Sequence, residues 1–156
     1  MLTRLIHRAV RAFQAVRRVL WFFSRPVTYG VHGVALTSEG RIVLVTLSYA
    51  DGWRLPGGGR KSQEDPEQAM LRELREEIGM TGHGIVREVA RVRHRPDFRD
   101  SRSSLFIVED VRYRPRWSLE IAKVGEFELD NLPHDTARIT RRMIAASLRG
   151  ASEEAG

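Results

Sequence analysis

The chain contains no cysteine, which excludes disulfides and thiolate metal sites and is compatible with a reducing compartment. Long apolar runs are also missing. The longest uninterrupted one is Val19 to Phe23, far short of the roughly 20 residues that a membrane-spanning helix needs. There is no secretory leader with a small-residue cleavage site, no internal repeat and no low-complexity tract, so a cytoplasmic location is the expectation. Acidic residues are absent from residues 1–25, which carry Arg4, Arg8, Arg11, Arg17, Arg18 and Arg25. The net charge of +6 therefore belongs to this segment, and the other 131 residues balance 20 basic against 20 acidic side chains. A neutral domain argues against a general nucleic-acid-binding surface, and nucleic acid is not an expected partner.

At 156 residues the chain is long enough for one domain with a proper core and a short extension. The division expected is an extension over 1–25, a domain over 26–150 and a flexible tail over 151–156. Leu2, Leu5, Ile6, Ala9, Phe13, Val16 and Leu20 share one face at helical spacing, so residues 3–22 read as a basic amphipathic helix. Such a helix can pack on the domain, join two copies as a homodimer or lie on an anionic membrane surface. It also has the Arg-rich, acid-free character of a transit peptide. Downstream, strands are expected over 29–37, 41–47, 84–94, 103–112 and 119–128, with helices over 66–78 and 134–149. That order suggests a mixed sheet between helices.

The most specific feature is a 23-residue pattern, Gly58-x5-Glu64-x7-Arg72-Glu73-Leu74-x-Glu76-Glu77-x-Gly79-Met80. Seven positions are fixed in identity, so a chance match is on the order of one in 10⁸ per starting position. Asp65-Pro66 reads as an N-cap and first helical residue, and Gly79 as a left-handed C-cap. Between them, at about 100° per residue, Glu73, Glu76 and Glu77 fall within roughly a third of the helix circumference. Met70, Leu71, Leu74 and Ile78 form the adjacent core-facing stripe. An isolated Arg-Glu-x-x-Glu-Glu would be a solvated face, its acids paired with Arg72 and Arg75. Three carboxylates anchored together instead repel one another and call for cations. Hard divalent ions such as Mg²⁺ or Mn²⁺ take oxygen ligands and commonly hold substrate phosphates as well.

This pattern, with the approach Trp53-Arg54-Leu55-Pro56-Gly57, resembles the signature box of the Nudix hydrolases, and the resemblance covers roughly Thr28 to Leu148. It implies the Nudix fold, an α/β arrangement with a mixed β-sheet sandwiched between helices, here preceded by the amphipathic extension. It also implies Mg²⁺- or Mn²⁺-dependent cleavage of a diphosphate linkage in a small molecule, a nucleoside diphosphate joined to another group X. Glu73, Glu76 and Glu77 are then the metal and catalytic carboxylates, Glu73 adding a ligand or acting as base. Arg72 orients the cluster, the Gly57 carbonyl touches metal, and Gly58, Glu64 and Gly79 support the loop and helix. Some relatives add a glutamate from the closing strand, for which Glu120 is nominated; Glu109 and Glu126 are further candidates. Before Glu64 the family usually has glycine, where this chain has Gln63, so a differently shaped loop is expected.

Arg54, Arg95 and Phe98 are the candidate substrate contacts, since arginine forks suit phosphate oxygens and an aromatic ring can stack on a base. Tyr49 and Trp53 read as core or pocket wall. His94 is no metal site, having no second His or Cys at ligand spacing. Three alternatives remain open: an RNA 5′-end pyrophosphohydrolase, a hydrolase of isoprenyl or lipid diphosphates, and a catalytically silent binding protein of the same fold.

Overall fold

Alternating apolar side chains along the strands assign each face of the sheet to its own helix. The computed structural model describes residues 27–61, 63–94 and 100–154. The extension over 1–25 lies outside the described residues, as do Arg95 and Phe98. Strands β1 (Val27–Leu36), β2 (Ile42–Leu47), β3 (Ala50–Arg54) and β4 (Gly57–Gly59) precede helix α1 (Pro66–Glu77). After β5 (Met80–Gly82), the long strands β6 (Val86–His94) and β7 (Asp100–Val108) follow. The two-residue β8 (Arg112–Tyr113), then β9 (Ile121–Phe127) and helix α2 (Arg138–Glu154), complete the order.

The main sheet runs β3-β2-β1-β7-β6, with β4 added to β1 and β9 to β2. It is mixed because β1 and β7 run parallel from Val27↔Asp100 to Ala35↔Val108, while the other pairs are antiparallel. Val31, Ala35, Val43, Val45, Phe106 and Val108 point to one face and pack with Ala69, Met70, Leu74 and Ile78 at α1. Val34, Ile42, Leu44, Leu105 and Ile107 point to the other and pack with Met143 and Ile144 of α2. Each fully buried Leu or Ile contributes about 2 kcal/mol relative to exposure. The sheet is thus flanked by two helices, and α1 is fixed by the stripe its spacing predicted.

What matters for a site is where β1 changes partner. Near its end β1 pairs with β2 at Ala35↔Val43 and Leu36↔Ile42. Earlier it pairs with β4 instead, at Gly30↔Gly59, Val31↔Gly58 and His32↔Gly57. Residues of β1, β2 and β4 around this divergence line two cavities of about 400 and 750 Å³.

Several boundaries depart from expectation. The strand expected over 103–112 is β7, starting at Asp100 and ending at Val108, with β8 as a separate piece. The short β4, β5 and β8 carry too few residues to show an alternation. The last helix runs to Glu154, so 151–154 belong to it and not to a tail. Gly150 looks like a helix stop, but its role is close approach: a Cβ there would run into the Val89 carbonyl of β6.

Candidate active site

Helix α1 begins where its sequence says it should. Asp65 is extended at φ −62°, ψ 135°, and its Oδ1 accepts from the Glu67 and Gln68 backbone N–H groups at 3.0 and 3.1 Å. At the other end Gly79 sits at φ 71°, the left-handed position that glycine adopts without steric cost. The helix thereby holds Arg72, Glu73, Glu76 and Glu77 beside the glycine turn of β4.

Arg72 is saturated. Its Nε and Nη2 donate to the two Glu64 oxygens at 2.8 and 3.2 Å. Its Nη1 donates to Glu73 at 2.8 Å and Glu76 at 3.3 Å, and Nη2 also donates to the Gly59 carbonyl at 3.0 Å. These five contacts match the five N–H groups of a guanidinium. The fork ties the loop, the strand and the helix together, and the side chain's pKa is raised by its bond to Glu64. In return, the hydrogen bond from Arg72, backed by the Lys61 N–H, pushes Glu64 down to about 2.

Glu73 is buried and lies over Gly58: a Cβ at Gly58 would stand 2.8 Å from its carboxyl atoms. That close approach explains the box glycine in physical terms. Burial raises the Glu73 pKa despite its bond to Arg72. Glu77 is pushed up further, to about 8, first by burial and then by the like charges of Glu73, Glu120 and Glu76, against the Gly57 N–H that donates to it at 2.8 Å.

Glu120 arrives from the far side of the cavity. Its carboxylate accepts from the Tyr49 hydroxyl at 2.6 Å, and its backbone is pinned by Ser118 Oγ and by the Ser48 N–H. Glu120, Tyr49, Glu77 and Gly57 all line the 750 Å³ cavity. The nominated glutamate of the closing region therefore joins the site, while Glu109 and Glu126 do not: they pair with Arg87, and with Tyr113 and Arg41. Arg54 lines the neighbouring 400 Å³ cavity with His32 and Ile139. Trp53 is core, edge-on to Phe127 at 4.8 Å. Sequence reasoning missed two contributions: Tyr49 as the group that orients Glu120, and His32 as cavity wall. Neither carries a local signal, because each acts through a partner distant in sequence.

Gln63 takes φ 61°. The loop keeps a left-handed backbone there without the glycine, which corrects the expectation of a different shape.

Residues 27–147 match the NUDIX domain family. The chain belongs to the Nudix family. Its curated relatives include "RNA pyrophosphohydrolase" of Pseudomonas savastanoi pv. phaseolicola, 39% identical over 54 residues, 34% of each chain. Another is "Nudix hydrolase 25" of Arabidopsis thaliana, 41% identical over 59 residues, 36% of this chain and 34% of that one. The matches thus span about a third of the relatives' length. Among solved structures, a MutT NUDIX hydrolase from Burkholderia pseudomallei aligns with TM-score 0.67 and 24% identity, over 77% of this chain and 97% of its own. The NUDIX domain of Shewanella oneidensis NrtR, complexed with ADP ribose, aligns with TM-score 0.64 and 19% identity, over 83% and 88%. At such identities these likenesses establish the shared Nudix fold alone.

Nudix catalysis generally uses a divalent metal, so the fit of this chain's residues to one can be tested. As placed, no three acidic or imidazole groups among the described residues gather closely enough to hold an ion. Arg72 draws Glu64, Glu73 and Glu76 to itself, and Glu77 is turned to Gly57. The three carboxylates expected on one side of the helix are thus engaged by different partners as placed. The donor set nevertheless fits a hard cation. It consists of carboxylate oxygens, and Glu77 is pushed up to about 8 by burial first and then by the like charges of Glu73, Glu120 and Glu76, a repulsion that a divalent ion would relieve.

Proposed function

We propose that this Nudix chain is a pyrophosphohydrolase that cleaves a diphosphate linkage with the help of Mg²⁺ or Mn²⁺. The observation that carries this reading is the half-buried Glu77 carboxyl at the wall of a 750 Å³ cavity, within electrostatic reach of Glu73, Glu76 and Glu120. Glu76, Glu77 and Glu120, with the Gly57 carbonyl, are the groups that would hold the ion; Glu73 either adds a ligand or takes the proton of the attacking water. Bound metal would supply charge neutralisation for the diphosphate and a more acidic water. Arg72 keeps Glu73 and Glu76 in register with the glycine turn, and Glu64 anchors the loop through Arg72 and the Lys61 N–H. A proton acceptor whose pKa is raised toward neutrality suits general-base work, and burial shifts Glu73 in that direction. The cavity at the β1–β4 divergence is large enough for a nucleotide-sized group, and Arg54 stands at its apolar extension.

The substrate of the main reading is a nucleoside diphosphate linked to a group X. A second reading, an RNA 5′ end, is favoured by the name RNA pyrophosphohydrolase that several curated relatives carry. The test is a panel spanning ADP-ribose, dinucleoside polyphosphates, nucleotide sugars, oxidised dNTPs, isoprenyl diphosphates and triphosphorylated or capped RNA, with Mg²⁺ and with excess chelator. Metal-dependent release of phosphate or a nucleotide from at least one class is expected. A cooperatively folded protein that turns over none of them would leave a silent binding protein as the better account.

A further inference from the structure

The sheet face that carries α2 changes character along its strands. On β7 the positions packed under α2 are Leu105 and Ile107, and the same parity runs back to Ser103 and Ser101. On β1 the matching series runs back from Val34 to Gly30 and Thr28. The β1–β7 register sets Gly30 beside Ser103 and Thr28 beside Ser101. These four residues belong to neither apolar core; they line the 750 Å³ cavity that Glu77 and Glu120 also line. One end of the active-site cavity is therefore walled by small, uncharged, hydroxyl-bearing positions.

Two of them are unfavourable choices for the fold alone. Ser103 is 2% exposed and its hydroxyl has no hydrogen-bond partner, and a buried hydroxyl left unpaired lowers stability. Gly30 lies inside β1, where glycine weakens a strand, and its φ is not left-handed. What the glycine does is keep space clear. A Cβ there would stand 3.0 Å from Ser103 Oγ and 3.3 Å from the Gly58 carbonyl. On its other side Gly30 pairs with Gly59, so Ser103 lies two strands, roughly 10 Å, from the glycine turn. That turn is the part of the wall in contact with the glutamates, Gly58 against Glu73 and the Gly57 N–H on Glu77.

We propose that Ser103, in the space kept by Gly30, binds a ribose hydroxyl of the nucleotide whose diphosphate is cleaved at the glutamates. The proposal rests on the pyrophosphohydrolase reading above and narrows it to nucleotide substrates, against isoprenyl or lipid diphosphates. In a nucleoside diphosphate the sugar follows the diphosphate directly, so a diphosphate at the glycine turn sets the ribose next along the cavity. A serine hydroxyl both donates and accepts, and a sugar hydroxyl matches it in both roles. A phosphate oxygen would only accept, and an alkyl chain would do neither. A ligand lacking that hydroxyl leaves Ser103 unpaired again, which is how a site built for a hydroxyl rejects the deoxy analogue.

The experiment titrates the uncleavable α,β-methylene forms of ADP, 2′-deoxy-ADP and 3′-deoxy-ADP, with Mg²⁺, into the full chain and into Ser103→Ala. The wild-type chain should bind the ADP form about tenfold more tightly than the form lacking the seated hydroxyl. Ser103→Ala should bind the ADP form about tenfold more weakly and no longer distinguish the two, the pattern of a coupled pair. Its melting temperature should not fall, because the hydroxyl removed has no partner in the protein. Selectivity against the 2′-deoxy form assigns the seated group to the 2′ position, and selectivity against the 3′-deoxy form to the 3′ position. No selectivity in the wild-type chain, selectivity retained in Ser103→Ala, or an equal loss on all three nucleotides would overturn the proposal. Absence of binding by the wild-type chain would overturn it too. Hydrolysis of ADP-ribose with Mg²⁺ is followed alongside: no turnover with ribose selectivity intact would fault the pyrophosphohydrolase reading and leave the ribose subsite standing.

Discussion

The two ends of the glutamate constellation are built on opposite principles. At one end Glu64, Glu73 and Glu76 share Arg72, whose five N–H groups are all used. At the other end Glu77 and Glu120 are held by neutral donors, the Gly57 N–H and the Tyr49 hydroxyl. Their acidities separate as well: the Arg72 hydrogen bond pushes Glu64 down to about 2, while burial first, and then the like charges of Glu73, Glu120 and Glu76, push Glu77 up to about 8. One half of the cluster carries its own cation, and the other is arranged so that an added cation gains most.

The largest expected effect comes from the half without an internal cation. Glu77→Gln should lower kcat/KM by about 10² or more while the circular dichroism spectrum and cooperative melting persist, and Glu76→Gln, at the Arg72 end but also named to hold the ion, should do the same. Near-wild-type turnover in both variants would remove these residues from the site. Arg72→Ala breaks the other half. A drop in activity of about 10–100-fold is expected from lost orientation of the carboxylates, together with about 2 kcal/mol of stability from leaving the buried Glu73 unpaired. Arg72→Lys should recover little of either, because an ammonium cannot reproduce the fork. Equal activity in all three proteins would deny Arg72 its positioning role.

The two halves also separate by pH. Glu77 has a folded pKa of about 8 against an ordinary value of 4.5, so protonated Glu77 is favoured in the folded state. Its contribution is fully present below about 4.5 and is lost as pH rises toward 8. Glu64 has the opposite sign: its contribution is present above 4.5 and is lost as pH falls toward 2. Between about pH 5 and 8, therefore, thermal melting of the chelated protein should report Glu77, with stability falling as pH rises. Glu77→Gln should flatten that slope, and saturating Mg²⁺ should reverse it, because metal binds the ionised form. A slope of the same size in the variant would place the titration elsewhere.

How much of this was legible beforehand depends on how local the cause is. Helix α1, expected over 66–78, spans Pro66–Glu77 because Asp65, Pro66, Gly79 and the apolar stripe act within one segment. The five contacts of Arg72 were readable only as ion pairing, since Gly59 and Glu64 are brought to it by the fold. The parallel β1–β7 pairing joins residues about 73 positions apart and leaves no trace in either strand alone. Gly30 and Ser103 are seen to be neighbours only once that register is known. Gln63 shows a local rule giving way: the loop, closed by the Glu64 N–H on the Lys61 carbonyl, holds a non-glycine residue at φ 61°.

The smallest effect follows from that residue. Gln63→Gly should relieve the left-handed strain and raise stability by about 0.5–1 kcal/mol, net of the extra freedom of glycine in the unfolded chain. Chemical denaturation of the two proteins measures it, and an unchanged or lower midpoint would mean that the strain is compensated within the loop.

The contrast between the two halves is tested most directly by calorimetric titration of Mg²⁺ and Mn²⁺ into the chelator-stripped chain near pH 7, in two buffers of different ionisation enthalpy. Binding at a carboxyl with a pKa of about 8 should release close to one proton per ion, and both the binding and the release should be lost in Glu77→Gln. Metal binding without proton release, or binding of equal strength in Glu77→Gln, would contradict the account.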